Sequence, residues 1–122
     1  MNNDHRPYTI FCDIDGTLTK QATASEVANP EFVLELLPGV IQKLKEWDQK
    51  GYNIILTTGR KESMRFSTES QLKRAGIFYD KLIMGIGGGK RFLINNFKID
   101  SDIPYAISIN IPINTGLLDI EI

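Results

Sequence analysis

Short apolar and β-branched runs alternate with longer amphipathic segments along the chain. Parallel strands need crossover connections, and helices of this length provide them. The pattern therefore predicts an α/β fold with a mostly parallel five-stranded sheet and helices on both faces, a three-layer arrangement. The five predicted strands are Tyr8 to Cys12, Tyr52 to Thr57, Lys81 to Met84, Phe92 to Ile94 and Ala106 to Ile111.

Two amphipathic helices are predicted between the first three strands. One follows Pro38-Gly39 and ends at Lys50-Gly51, and the other extends from Lys61 to Ala75 with a glycine stop at Gly76. The apolar positions that recur at helical spacing are Val40, Ile41, Leu44 and Trp47 in the first helix, and Met64, Thr68, Leu72 and Ala75 on one side of the second.

The segment between the first strand and the first helix interrupts this alternation. Residues 20–37 are long for a loop in a small domain, and such insertions often cover a site, so we interpret them as a short flap. Glu31 to Leu37 could form a helical turn or two. We expect a single domain over residues 1–122, with this flap and no cap domain.

Composition limits the classes of protein that the chain can represent. Of its 122 residues, 42% are hydrophobic and 24% charged, which is ordinary for a soluble globular domain. Fourteen Lys and Arg against fifteen Asp and Glu give a net charge of -1, so bulk charge does not favour nucleic-acid binding. Cys12 is the single cysteine and His5 the single histidine, which excludes an internal disulfide and a zinc-ligand cluster.

The distribution of apolar residues along the sequence shows no targeting signal. The polar N-terminal stretch has no apolar signal region, and no run approaches the roughly 18 apolar residues of a membrane span. We therefore expect a cytoplasmic protein without a membrane partner. The apolar C-terminal stretch could cover a sheet edge or a partner chain, so a homo-oligomer stays open.

The first strand is followed by Asp13-Ile14-Asp15-Gly16-Thr17-Leu18. Two carboxylates directly after a buried strand are costly unless a cation or a proton transfer uses them. Such a pair suits Mg²⁺, and a carboxylate can also attack phosphorus to form an aspartyl phosphate. An acidic turn that caps a helix is the alternative explanation.

The second strand ends in Thr57-Thr58-Gly59-Arg60. A hydroxyl at a helix entrance, together with free N–H groups and an arginine, favours an anion site. The simpler alternative is that Thr58 is an N-cap and Gly59 a turn residue.

These two strings resemble the first and second motifs of the haloacid dehalogenase superfamily. The resemblance covers most of the chain, from the first strand to about Asp100. It implies a Mg²⁺-dependent phosphohydrolase on a Rossmann-like sheet, acting on a small phosphorylated molecule. By this analogy Asp13 is the nucleophile, Asp15 is the general acid and base, and Thr58, with Thr57 as fallback, binds the phosphoryl oxygens.

The resemblance also assigns supporting roles. Gly16 allows the turn that brings Asp15 back toward Asp13, while Gly59 and Arg60 belong to the phosphate site. Metal ligands would be Asp13, Asp15 through its main-chain carbonyl, and Asn96, which stands where relatives carry an aspartate.

The second half of the expected site departs from the family pattern. Asn96 contributes no charge to a metal, and Asp100 and Asp102 could substitute for it or form an exposed turn. Lys90 follows three glycines, later than the lysine of relatives; it could reach the phosphate or belong to a plain loop.

Three functions are compatible with some of these features. A phosphomonoester phosphatase is favoured, and a degenerate relative that binds phosphate with little or no catalysis is the alternative. A phospho-accepting receiver domain is disfavoured, because its aspartate follows the third strand, where this chain has Gly85 and Ile86.

Overall fold

The computed structural model describes residues 5–122. It forms β1 (Thr9–Asp13), α1 (Ala24–Ala28), α2 (Val40–Gln49), β2 (Asn53–Thr57), a 3₁₀ turn (Glu62–Met64), α3 (Arg65–Ala75) and β3 (Lys81–Ile83). Both helices predicted between the strands are confirmed, and α3 ends at Gly76 in the left-handed region, where a side chain is unfavourable. Within the described residues, no helix is long and apolar enough to cross a membrane.

The three strands form one parallel sheet in the order β1-β2-β3. The α/β class with a parallel sheet is therefore confirmed. In the register of β1 and β2, Asp13 lies opposite Thr57. The last residues of both strands consequently meet at the carboxyl edge of the sheet, where open α/β sheets bind ligands.

The predicted number of strands is wrong for the described part of the chain. Phe92 to Ile94 and Ala106 to Ile111 form no strand there, and Phe92 and Ile94 are 88% and 94% exposed. Their composition suits a strand, but a strand also needs a neighbour with free backbone groups in register. Only β2 pairs with β1 among these residues, so the other edge of β1 carries no ladder.

The hydrophobic core lies on one face of the sheet. Alternate strand residues point into it, and α2 and α3 cover them; the buried residues include Ile10, Cys12, Ile54, Leu56 and Leu82 from the strands and Leu44, Trp47 and Leu72 from the helices. Phe11, on the opposite face of β1, is 55% exposed. The helical layer that we expected on that second face is not formed by the described residues.

The flap, residues 20–37, is closed at its base and carries a helix in its first half. Lys20 N–H donates to the Glu35 carbonyl at 2.9 Å. A capping box between Thr23 and Glu26 starts α1. The helical turns expected from Glu31 to Leu37 do not form, because that stretch pairs with the segment after β1 through a bridge between Thr19 and Leu36.

The C-terminal segment packs against the flap base and the start of α2. Leu117 is buried, and its N–H donates to the Pro38 carbonyl at 2.9 Å. Asn114 N–H donates to the Gly16 carbonyl at 2.8 Å. This apolar tail thus supports the turn that follows β1.

Candidate active site

A tight turn follows β1 and presents the two aspartates at the carboxyl edge. The Ile14 carbonyl accepts the N–H groups of Thr17 and Leu18 at 3.1 and 2.9 Å, and Ile14 and Leu18 are fully buried anchors. Gly16 has a φ of 83° in this turn, which only glycine adopts without strain. Its predicted role in the turn agrees with this geometry.

Asp13 ends β1, and its carboxylate accepts hydrogen bonds from groups of the turn. Its Oδ2 accepts a hydrogen bond from the Thr17 hydroxyl at 3.3 Å. Desolvation raises the pKa of Asp13 above its ordinary value, and the charge of Asp15 adds to this; the hydrogen bonds from Ile14 N–H and Thr17 and the charge of Arg91 oppose it. The site therefore holds a carboxylate that a cation would stabilise.

Asp15 is paired with Arg60 in a bidentate ion pair. Arg60 Nε and Nη2 donate to the two carboxylate oxygens at 2.9 and 2.8 Å. The Asp15 side chain is 14% exposed and the Arg60 side chain 3%. Arg60 Nη1 also donates to the Thr68 hydroxyl at 3.1 Å and to Gln71 Oε1 at 2.8 Å. In this structure Arg60 therefore holds Asp15, and its contact with phosphate stays a prediction.

The hydroxyl groups after β2 differ in their surroundings. Thr57 lies beside Asp13 and is half-buried. Thr58 is 1% exposed, and its hydroxyl accepts Arg60 N–H at 3.1 Å. Gly59 must lack a side chain, because a Cβ there would lie 2.8 Å from the Gly87 carbonyl oxygen. Both threonines thus remain candidates for the phosphoryl oxygens.

The remaining predicted residues, Lys90 and Asn96, make no side-chain hydrogen bond to the aspartates among the described residues. Both residues are exposed and lie in irregular segments. The Asn96 main-chain carbonyl accepts a hydrogen bond from the neighbouring Asn95. The cation whose charge acts on Asp13 is instead Arg91, held by the carbonyls of Gly87, at 2.8 Å, and Gly89.

The oxygen atoms at this edge fit a magnesium ion only in part. Arg60 contacts both Asp15 carboxylate oxygens, which leaves the Asp15 main-chain carbonyl as the group that this residue would offer to a metal. Asp13 Oδ1 and the Asp15 main-chain carbonyl are oxygen donors of the kind that Mg²⁺ takes alongside water and substrate phosphate. The described residues contain no group of three His, Cys, Asp or Glu side chains that could hold a metal.

Sequence reasoning missed three polar residues of the site, namely Thr68, Gln71 and Arg91. Thr68 and Gln71 are fully buried on the inner side of α3, three residues apart. Polar side chains on the apolar face of a helix were the available signal, because a buried polar group requires partners. Arg91 carried no comparable signal.

An α/β fold with D-x-D-G-T-L after its first strand and T-T-G-R after its second defines a domain of the haloacid dehalogenase-like phosphatases. Within that class, the chain belongs to the family of the polynucleotide kinase PNKP phosphatase domain, which matches residues 7–91. None of the curated proteins compared with the chain matches it significantly.

Solved structures agree with this assignment. A chain of the Pnkp1/Rnl/Hen1 RNA repair complex is 33% identical with a TM-score of 0.54, over 64% of this chain and 25% of that chain. A chain of a second Pnkp1/Rnl/Hen1 structure is 29% identical with a TM-score of 0.55, over 75% and 33%. A Vibrio cholerae structure, 23% identical with a TM-score of 0.52 over 72% and 79%, shows the fold. The chain spans a quarter to a third of the two Pnkp1/Rnl/Hen1 chains.

Proposed function

We propose that the protein is a Mg²⁺-dependent phosphomonoester phosphatase that acts through an aspartyl phosphate on Asp13. The family match over residues 7–91 supports phosphohydrolase function in general. The observation that carries the finer proposal is the pair of aspartates on the turn after β1, one partly free and the other clamped by Arg60.

In this mechanism Asp13 Oδ1 attacks phosphorus as the bond to the leaving oxygen breaks. Asp15 gives its proton to that oxygen, then accepts a proton from the water that attacks the aspartyl phosphate and releases inorganic phosphate. Arg60 uses one lone pair on each oxygen of Asp15, so the proton would occupy a lone pair that faces away from Arg60, and the hydrogen bond to the protonated oxygen would weaken. Thr57 or Thr58 would donate to the phosphoryl oxygens.

Magnesium would be held by Asp13 and the Asp15 main-chain carbonyl, with Asn96 joining only if residues near 96 move to this edge. When bound, it would neutralise charge on the phosphoryl group. Arg91, whose charge lowers the pKa of Asp13, would add positive charge on the same side.

The substrate is proposed to be a phosphomonoester of a small molecule. The names of the matched family and of the RNA repair complex raise a phosphorylated polynucleotide end as a second substrate to test. A net charge of -1 gives no bulk attraction to such a polyanion.

The test is phosphate release from three substrates, an aryl phosphate, an alkyl phosphate and an oligoribonucleotide with a terminal phosphate. We expect turnover with Mg²⁺, loss of turnover with a chelator, and complete loss in Asp13→Asn. Asp48→Asn, on the exposed side of α2, is the matched control and should keep full activity. Turnover that survives Asp13→Asn, or no turnover of any substrate, contradicts the proposal.

A second candidate is phosphate binding with little or no catalysis. It is favoured because, among the described residues, neither the Lys90 nor the Asn96 side chain is hydrogen-bonded to the aspartates and both lie in exposed irregular segments. It predicts that inorganic phosphate with Mg²⁺ raises the melting temperature while no substrate is hydrolysed. Asn96→Asp should tighten Mg²⁺ binding if this residue reaches the metal, which isothermal titration with Mg²⁺ alone would measure.

A further inference from the structure

Gln71 lies between the flap and the arginine that clamps Asp15. Its side chain is fully buried on α3. Nε2 donates to three flap carbonyls, those of Glu26 at 2.9 Å, Val27 at 3.1 Å and Asn29 at 2.7 Å. Oε1 accepts from Arg60 Nη1 at 2.8 Å. A single amide group thus contacts both the flap and the site.

The chemistry of these partners permits only one orientation of the Gln71 amide. Main-chain carbonyls can only accept hydrogen bonds, and a guanidinium can only donate them. Nε2 must therefore face the flap and Oε1 must face Arg60. A flipped amide would bury an unsatisfied donor against a guanidinium and an acceptor against carbonyls, which is costly in a dry environment.

These hydrogen bonds add to the main-chain hydrogen bonds of the flap. The Glu26 and Asn29 carbonyls already accept from the N–H groups of Asn29, at 3.1 Å, and Phe32, at 3.0 Å. Gln71 gives each of these carbonyls a second donor and also donates to the Val27 carbonyl near the end of the five-residue helix α1. Ser67 adds one more, since its hydroxyl donates to the Val27 carbonyl at 2.8 Å.

Arg60 needs an anchor on its outer side. Its Nε and Nη2 edge faces Asp15, while Nη1 faces Thr68 and Gln71. The hydrogen bonds to Nη1 would keep the guanidinium oriented toward Asp15 when protonation weakens its hydrogen bonds to the carboxyl group. Hydrogen bonds therefore run without a break from the flap through Gln71 and Arg60 to the carboxylate.

We infer that Gln71 is a positioning residue. It holds the Arg60 guanidinium, and through it the Asp15 carboxylate, at a fixed position relative to the flap. This role rests on the proposed function, because Asp15 must carry a proton to the leaving oxygen. Nothing in the inference requires Gln71 to touch the substrate.

The experiment compares kcat/KM for an aryl phosphate and an alkyl phosphate in Gln71→Met, which keeps the side-chain volume and removes both polar groups. An alkyl leaving group needs the proton of Asp15, whereas an aryl leaving group departs with little help. We expect kcat/KM for the alkyl phosphate to fall about 10- to 100-fold, the range of a misplaced general acid. The value for the aryl phosphate should fall less than about threefold, because its leaving group needs little protonation. Loss of folded protein would instead lower kcat/KM for both substrates equally.

Two variants separate the flap contact from the arginine contact. Ser67→Ala removes a hydrogen bond to the flap without touching Arg60, and should change both substrates alike. Thr68→Val removes the other hydrogen bond to Arg60 Nη1 and leaves the flap contacts, so a smaller loss selective for the alkyl phosphate is expected. If Gln71→Met does not fold by circular dichroism, Thr68→Val decides the question.

An equal loss for both substrates in Gln71→Met, or a selective loss in Ser67→Ala as large as in Gln71→Met, overturns the positioning role. The proposed function fails differently. Wild-type protein would then release no phosphate from either substrate, and both proposals would fall together. Turnover by wild-type protein that is lost in Asp13→Asn, without selectivity in Gln71→Met, removes the positioning role alone.

Discussion

Removing the charge of Arg60 should destabilise the protein strongly, because the ion pair with Asp15 is largely buried. Loss of one partner of a buried pair costs about 3–5 kcal/mol. Asp15 keeps 14% exposure of its side chain, so we expect the lower end, about 3 kcal/mol, for Arg60→Met. For 122 residues at roughly 2.1 cal/mol/K each, this corresponds to a melting temperature lower by about 12 °C.

Urea unfolding followed by circular dichroism measures this loss, and a double-mutant cycle with Asp15→Asn isolates the pair. The double variant should be more stable than the sum of the single effects by about 1–3 kcal/mol, because no buried charge is then left unpaired. Lys73→Met, at an exposed position of α3, is the control and should change little. A loss under about 1 kcal/mol in Arg60→Met, or single effects that add within about 0.5 kcal/mol, would refute the reasoning.

Three further predictions concern the turns, the cysteine and the nucleophile. Gly51→Ala, at positive φ but in open space, should lower the free energy of unfolding by roughly 1–2 kcal/mol, the cost of a left-handed alanine. Gly116→Ala should lower it by well over that amount, because the added Cβ would collide with Pro38. Urea unfolding of both variants measures the difference. Burial raises the pKa of the Cys12 thiol to about 12, so native protein at pH 8 should resist alkylation and react only in denaturant; reaction at equal rates in both would contradict this. The raised pKa of Asp13 means that metal-free Asp13→Asn should melt higher than wild type at neutral pH. This gain should vanish as the pH falls below the ordinary aspartate pKa, and a gain independent of pH would be inconsistent with it.

The sequence was sufficient to predict the part of the site whose residues are close together in the chain. Asp13 and Asp15 share one turn, and their position after a buried strand carries the information. The opposite position of Thr57 follows from two parallel strands that end at the same edge. Lys90 and Asn96 could not be placed in this way, because their positions depend on pairing of a segment that forms no strand here.

Local periodicity and glycines at positive φ were sufficient to predict the first three strands and both connecting helices, and the aspartates follow the first strand directly in the chain. The partner of Arg60, in contrast, depends on how distant segments pack. An arginine at a helix entrance, such as Arg60, can pair with a phosphate or with a carboxylate. The packing of α3 brings Thr68 and Gln71 to the outer side of Arg60, and the guanidinium then faces Asp15. Side-chain partners distant in sequence are chosen by geometry and desolvation, which no local pattern encodes.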